Sequence, residues 1–168
     1  MPSNVLRSIE THYKGYRFRS RLEARWAVFL TVVRVIWEYE KEGYDLGEAG
    51  NYLPDFWIPT PWIKEHSNAG CFLEIKGQEP TTTETWKASA LAIASHRPVK
   101  MVIGAPGTCS ILTWLEKDFV SNRIEMVKCP GVLITRQLVS QFHGNCNKCG
   151  DAIAASRAAR FEHNERLD

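Results

Sequence analysis

The decapeptide CFLEIKGQEP, residues 71–80, sets Glu74 and Lys76 inside an apolar run. A strand rises roughly 3.3 Å per residue, so residues two apart share a face, about 6.6 Å from each other. Glu74 and Lys76 then point one way while Leu73 and Ile75 point into the opposite layer. An edge strand with one wet face accounts for this pattern, and so does a carboxylate and an ammonium aimed at a shared ligand. Asp55 is equally out of place between Pro54 and Phe56 in NYLPDFWIP. On a regular strand it would share a face with Leu53 and Trp57, yet Asp is rarely buried without a partner. If these two strands are neighbours, Asp55 and Glu74 converge at one end of a sheet. Two such carboxylates repel unless a proton or a cation compensates them. Mg²⁺ (or Mn²⁺) suits the pair, because it takes hard oxygen ligands and keeps several waters. Its waters supply a nucleophile while the ion polarises a phosphoryl oxygen. Lys76 would stabilise charge developing on the phosphate, or orient or deprotonate the attacking water.

The elements that must position these groups can be read from pattern. KGYRFRS at 14–20 suits a short strand or extended lead-in, preceded by an N-terminal arm with room for one short helix. Ser20 followed by Glu23 reads as a capping box. The stripe of Leu22, Trp26, Phe29, Leu30, Val33 and Trp37 predicts a helix over about 21–37, with Glu23 at its margin. Strands are predicted at 36–40, at 51–59 with prolines keeping it short, and at 70–77. Residues 83–96 read as a helix and 99–107 as a continuously apolar strand suited to a central or parallel position. SILTWLEKDFV reads as a strand turning into a short helix, and GVLITRQLV as another strand. HGNCNKCGD at 143–151 reads as a tight knuckle, and 152–167 as a terminal helix rich in arginine. The expected architecture is α/β, in the order α-β-β-β-α-β. Residues 1–140 form the core with its arm, and 141–168 the knuckle and last helix.

These residues carry a resemblance. PD at 54–55 followed by EIK at 74–76 resembles the signature of the PD-(D/E)xK nuclease superfamily. The wider run FRSRLEARWAVFL…WEYE…DL…YLPDFWIP…LEIKG is similar to small phage and bacterial endonucleases of that group, over about residues 15–105. The resemblance implies a restriction-endonuclease-like core, a central mixed sheet of four to five strands flanked by helices. It implies Asp55 and Glu74 as metal ligands and Lys76 as the catalytic lysine. Glu23 matches a glutamate that many members place on the first core helix beside the metal, a role compatible with capping. Gln78 resembles an auxiliary polar residue of some branches. The implied activity is metal-dependent hydrolysis of phosphodiester bonds, with DNA as the favoured substrate. A nucleic-acid-binding module that keeps the fold without catalysis is the alternative reading, and a phage structural or assembly protein is a third.

Charge distribution fits a nucleic-acid partner better than the net charge of +2 does. Arg17, Arg19, Arg21 and Arg25 cluster around the start of the helix that carries Glu23, where they can grip phosphates without reading bases. The block 38–48 is acidic, with Lys41 its single cation. No recognisable base-reading module accompanies them. Symmetric cutting of both strands would call for two active sites, hence a homodimer.

Cys146 and Cys149 have the C-x₂-C spacing of a zinc knuckle, which Cys129 and His143 would complete as a structural Zn²⁺ site. Free thiols are the competing expectation for the same cysteines. Five cysteines at irregular spacing do not make a disulfide scaffold. With no twenty-residue apolar run and no secretory pattern at the start, no membrane partner is expected. The expected location is the cytoplasm, that of the host if a phage encodes the chain.

Overall fold

The computed structural model describes residues 10–59, 70–115 and 147–161. It opens on a hairpin of β1 (Thr11–Tyr13) and β2 (Tyr16–Phe18). Lys14 and Gly15 at its tip both adopt positive φ, 49° and 80°. That backbone twist matches the strands of a two-residue hairpin. Ser20 then caps α1 (Arg21–Val32), its hydroxyl accepting from the Glu23 amide. The helix stops short of the predicted residue 37. Arg34 takes a left-handed φ of 62°, and Trp37 packs on the core from beyond the helix.

The main sheet has the order β3-β6-β7-β8-β9. Its members are β3 (Glu38–Tyr39), β6 (Phe56–Pro59), β7 (Gly70–Lys76), β8 (Val99–Ile103) and β9 (Ser110–Trp114). A small pair, β4 (Tyr44–Asp45) and β5 (Asn51–Tyr52), lies outside it, around a 3₁₀ turn at Gly47–Ala49. All neighbours in the main sheet run antiparallel except β7 and β8. A parallel pair needs a long crossover, and α2 (Thr82–Ser95) supplies it. The chain therefore follows the expected course from α1 through three sheet strands to α2 and β8, with β9 added at the edge. The architecture is α/β with a five-stranded mixed sheet.

Alternation along β7 feeds two cores. Cys71, Leu73 and Ile75 join Ala24, Trp26, Ala27, Phe29 and Leu30 of α1. Phe72 joins Ala88, Leu91 and Ala92 of α2, with Val99 and Met101. Both faces of the sheet are thus covered, which is why this strand is apolar almost throughout. Glu74 and Lys76 lie on the same side as Phe72, toward α2.

The last described element is α3 (Asn147–Ala158). The spacing predicts a knuckle or turn at 143–151, yet helix begins by Asn147 and includes Cys149 and Gly150. Cys149, Ala152 and Ser156 are buried at spacings of three and four, with Ile153 packed beside them. This stripe lies on α1, and its packing outweighs the helix-weakening glycine. The predicted second half of SILTWLEKDFV, the strand GVLITRQLV and the first residues of the knuckle lie outside the described residues. No helix among the described residues is long and apolar enough to cross a membrane.

Candidate active site

The register of β6 against β7 builds the centre of the site. Phe56 pairs with Leu73, so the next position back sets Asp55 beside Glu74. Pro54 has no amide hydrogen, and residues 53–55 leave the strand. Leu53, Asp55 and Trp57 therefore do not share one strand face as the alternation suggested. The two carboxylates replace the missing ladder bonds. The Ile75 amide donates to Asp55 Oδ2 at 2.6 Å, and the Asp55 amide donates to Glu74 Oε2 at 3.4 Å.

Asp55 is 2% exposed and Glu74 5% exposed, so their charges require partners. Lys76 Nζ lies 3.0 Å from Glu74 Oε1, and Arg19 Nη2 lies 2.6 Å from Asp55 Oδ1. The compensation is incomplete. Burial, then the negative charges of Glu74 and Glu23, push the Asp55 carboxyl well above its ordinary range, against the Ile75 amide and Arg19. Burial draws the Lys76 ammonium down, but Glu74 and Glu84 outweigh it and leave Lys76 above its ordinary value. Lys76 is thus held as a cation.

Glu23 reaches the margin of this cluster. Its carboxylate accepts from the Tyr39 hydroxyl at 2.5 Å, the Ser20 hydroxyl at 2.7 Å and the Arg19 amide at 3.2 Å. Burial and this bond to Glu23 raise the Tyr39 phenol above its ordinary value. Glu23 therefore serves the helix start while adding negative charge near Asp55. Gln78 is exposed two residues beyond the end of β7.

The basic cluster divides. Arg17 pairs on the surface with Glu10 at 2.6 Å. Arg19 turns to the acids, bridging Asp55 and Glu40, the latter at 2.7 Å. Arg21 and Arg25 instead line a cavity with residues at the end of α3. Of the four predicted zinc ligands, Cys129, His143 and Cys146 lie outside the described residues. Cys149 is buried in α3 beside α1.

Two residues join the site that pattern reading passed over. Glu84 Oε1 lies 2.7 Å from Lys76 Nζ. Its other oxygen closes the capping box of α2 by accepting from the Thr81 amide at 2.8 Å. The T-x-x-E spacing from Thr81 to Glu84 announces the cap, but nothing in it announces Lys76. The second is Tyr52. Its hydroxyl is buried beside the Glu74 carboxylate. Burial, then the charges of Glu74 and Asp55, hold its phenol far above the ordinary value.

This donor set fits a hydrated divalent ion on two carboxylates. Among the described residues, no three His, Cys, Asp or Glu side chains converge as a ready metal cluster. Mg²⁺ does not require one, since it is commonly held by one or two carboxylates and its own waters. Asp55 and Glu74 supply hard oxygens, and the buried Tyr52 hydroxyl stands beside them. Arg19 occupies one oxygen of Asp55, but its side chain is 55% exposed and has solvent to swing into. Compared with protein-family models and with curated proteins, the chain matches none of them.

Proposed function

We propose that this chain is a divalent-metal-dependent DNA endonuclease built on a restriction-endonuclease-like core. The observation that supports it most is the buried, adjacent pair Asp55 and Glu74 with the Lys76 ammonium held against Glu74. The pair lies where β7 nears its carboxyl end beside parallel β8, the edge at which α/β sheets place their ligands.

Asp55 and Glu74 would hold Mg²⁺ or Mn²⁺, which when bound supplies Lewis acidity toward a phosphoryl oxygen and lowers the pKa of its waters. The remaining tasks belong to the chain. Lys76, kept protonated by two carboxylates, offers positive charge to the phosphate oxygens as negative charge grows there. Acting instead as a proton acceptor needs the neutral amine, which the two carboxylates disfavour. Tyr52 offers a hydroxyl to water beside the acids. Glu23 adds negative charge that favours a cation, and Arg19 must leave Asp55 for the ion to enter.

Purified protein is incubated with linear, nicked, single-stranded and four-way-junction DNA, with Mg²⁺, Mn²⁺ or EDTA. Cleavage is expected only with metal, and Lys76→Ala is expected to slow it by about 10²-fold or more. Undiminished cleavage in stringent EDTA, or by Lys76→Ala, would sink the mechanism. Equal binding with and without metal, and no turnover on any DNA or RNA, would identify a non-catalytic binding module instead.

A further inference from the structure

On α1, Arg21 and Arg25 lie one turn apart on one side of the helix. Glu23 is two residues from each, about 200° around the axis. The arginines therefore turn away from the acid cluster and face the end of α3. There, with Arg157, Arg160, Ala159 and Phe161, they line an open cavity of about 250 Å³. Packing brings these charges together. The α3 stripe that ends at Ser156 lies on α1, which carries Arg157 to the cavity, and the Ala159 amide still donates to the Ala155 carbonyl at 2.9 Å. Gly107, at φ 91°, leaves room for this approach. A Cβ there would stand 3.1 Å from Ile153 and 3.4 Å from an Arg157 guanidinium nitrogen.

A cation near a helix C-terminus is ordinary, since the dipole favours it. That accounts for Arg157 alone. It does not account for four guanidiniums from two segments facing one concavity, with no carboxylate among the described residues that line it. Among the described residues, Arg25, Arg157 and Arg160 take part in no ion pair. The Arg25 Nε is buried and lacks a hydrogen-bond acceptor. Such a group is costly unless an acceptor arrives, and several guanidiniums together match the planar, multi-oxygen geometry of phosphate. Phe161 gives the same cavity an apolar wall.

We propose that this cavity is a second phosphate site, which holds a backbone phosphate of DNA on the face of α1 opposite the acid cluster. The choice of DNA as the bearer of that phosphate rests on the nuclease reading. The site itself rests on Arg25, Arg157 and Arg160, with Arg21 lining the same cavity.

Binding is measured by fluorescence anisotropy with a labelled 20-base-pair duplex in EDTA, from 50 to 200 mM salt. The proteins compared are the unaltered chain, Arg157→Gln/Arg160→Gln and Arg25→Gln. The double substitution removes exposed residues, and thermal melting verifies that each variant is folded. It is expected to weaken binding about tenfold and to reduce the salt slope by about 1, the loss of one phosphate contact. Arg157→Lys/Arg160→Lys should restore most of the slope. Unchanged affinity and slope in the folded double variant overturn the site. So does tight capture of inorganic phosphate that leaves DNA binding untouched, or a preference for duplex RNA of equal length. Since turnover is not read, the two proposals separate. Arginine-dependent binding without cleavage in Mg²⁺ leaves this site standing and removes the nuclease reading. Normal cleavage with binding indifferent to the arginines does the reverse.

Discussion

The Glu84 carboxylate stands 2.7 Å from the Lys76 ammonium while it also caps α2. One side chain therefore ties the start of the crossover helix to the end of the strand that carries Glu74. The catalytic lysine of the proposed site is held from both sides, by a residue on its own strand and by one on the helix that follows.

That tie is pH-dependent. Against partial burial, the bonds from Lys76 and Thr81 hold the Glu84 carboxyl down at about 2. Its stabilisation is present above the unfolded carboxylate pKa and is lost as pH falls through the folded one. Glu84→Gln keeps an oxygen for the cap and removes the charge. It should lower stability at pH 7 by about 1 kcal/mol once solvent screening is allowed for. Urea unfolding across pH should show the difference shrinking below about pH 4.5. A difference that persists at pH 2 would assign the effect to the cap alone.

Asp55 has the opposite sign. Its folded pKa is raised, so its favourable contribution is complete below about pH 3.9 and is lost as pH rises through the folded value. Asp55→Asn should therefore stabilise the metal-free protein at pH 7, by on the order of 1 kcal/mol. The same variant should lack the rise in melting temperature expected of the unaltered chain in Mg²⁺ or Mn²⁺. A destabilised, metal-responsive variant would contradict both expectations.

Arg19 competes with the proposed ion for Asp55. Replacing it with methionine keeps much of the apolar stem and deletes the guanidinium. Calorimetric titration with Mn²⁺ should show affinity rising about 3- to 10-fold, on the order of 1 kcal/mol. Weaker metal binding would mean that Arg19 orients Asp55 instead of competing for it.

Gly70 tests the pairing that brings Asp55 to Glu74. A Cβ at this position would lie 2.3 Å from the Trp57 ring and 2.6 Å from the Ile58 carbonyl oxygen. Both neighbours belong to β6, and one of them is backbone, so β6 and β7 must separate to admit it. Gly70→Ala should destabilise by about 1–3 kcal/mol in urea melts and change Trp57 fluorescence. An unchanged midpoint would mean that β6 and β7 leave room for a methyl group at this end of the pair.

Much of the architecture was legible from pattern because local rules and burial agree along these segments. The apolar stripe after Ser20 gave α1 its start and its buried face, and 99–103, apolar except for Lys100, reads as a covered strand because both its faces are buried. The spacing carries the predicted α1 past its real end because Trp37 continues a helical stripe. Arg34 turns left-handed before it, and the aromatic ring reaches the same core from a different backbone. Over Asn147–Asp151 helix stands where the spacing predicts a turn, for a related reason. C-x₂-C and glycine are turn signals only while no partner is counted, and α1 is the partner that makes this stretch a helix.

At the site, sequence alone determined which groups were available and which of them shared a strand face. Glu74 and Lys76 must point together because a strand alternates. Asp55 must seek a partner because a lone carboxylate is not buried. What only the tertiary structure decided is who compensates whom. Arginines at 17, 19, 21 and 25 look alike in sequence. Yet one pairs with Glu10, one bridges Asp55 and Glu40, and two face the cavity at the end of α3. Glu84 is a capping residue by its spacing, and it meets Lys76 only because the crossover returns α2 to that edge of the sheet. Charge energies depend on separation and on burial, and chain order fixes neither until the sheet and its helices have closed around the acids.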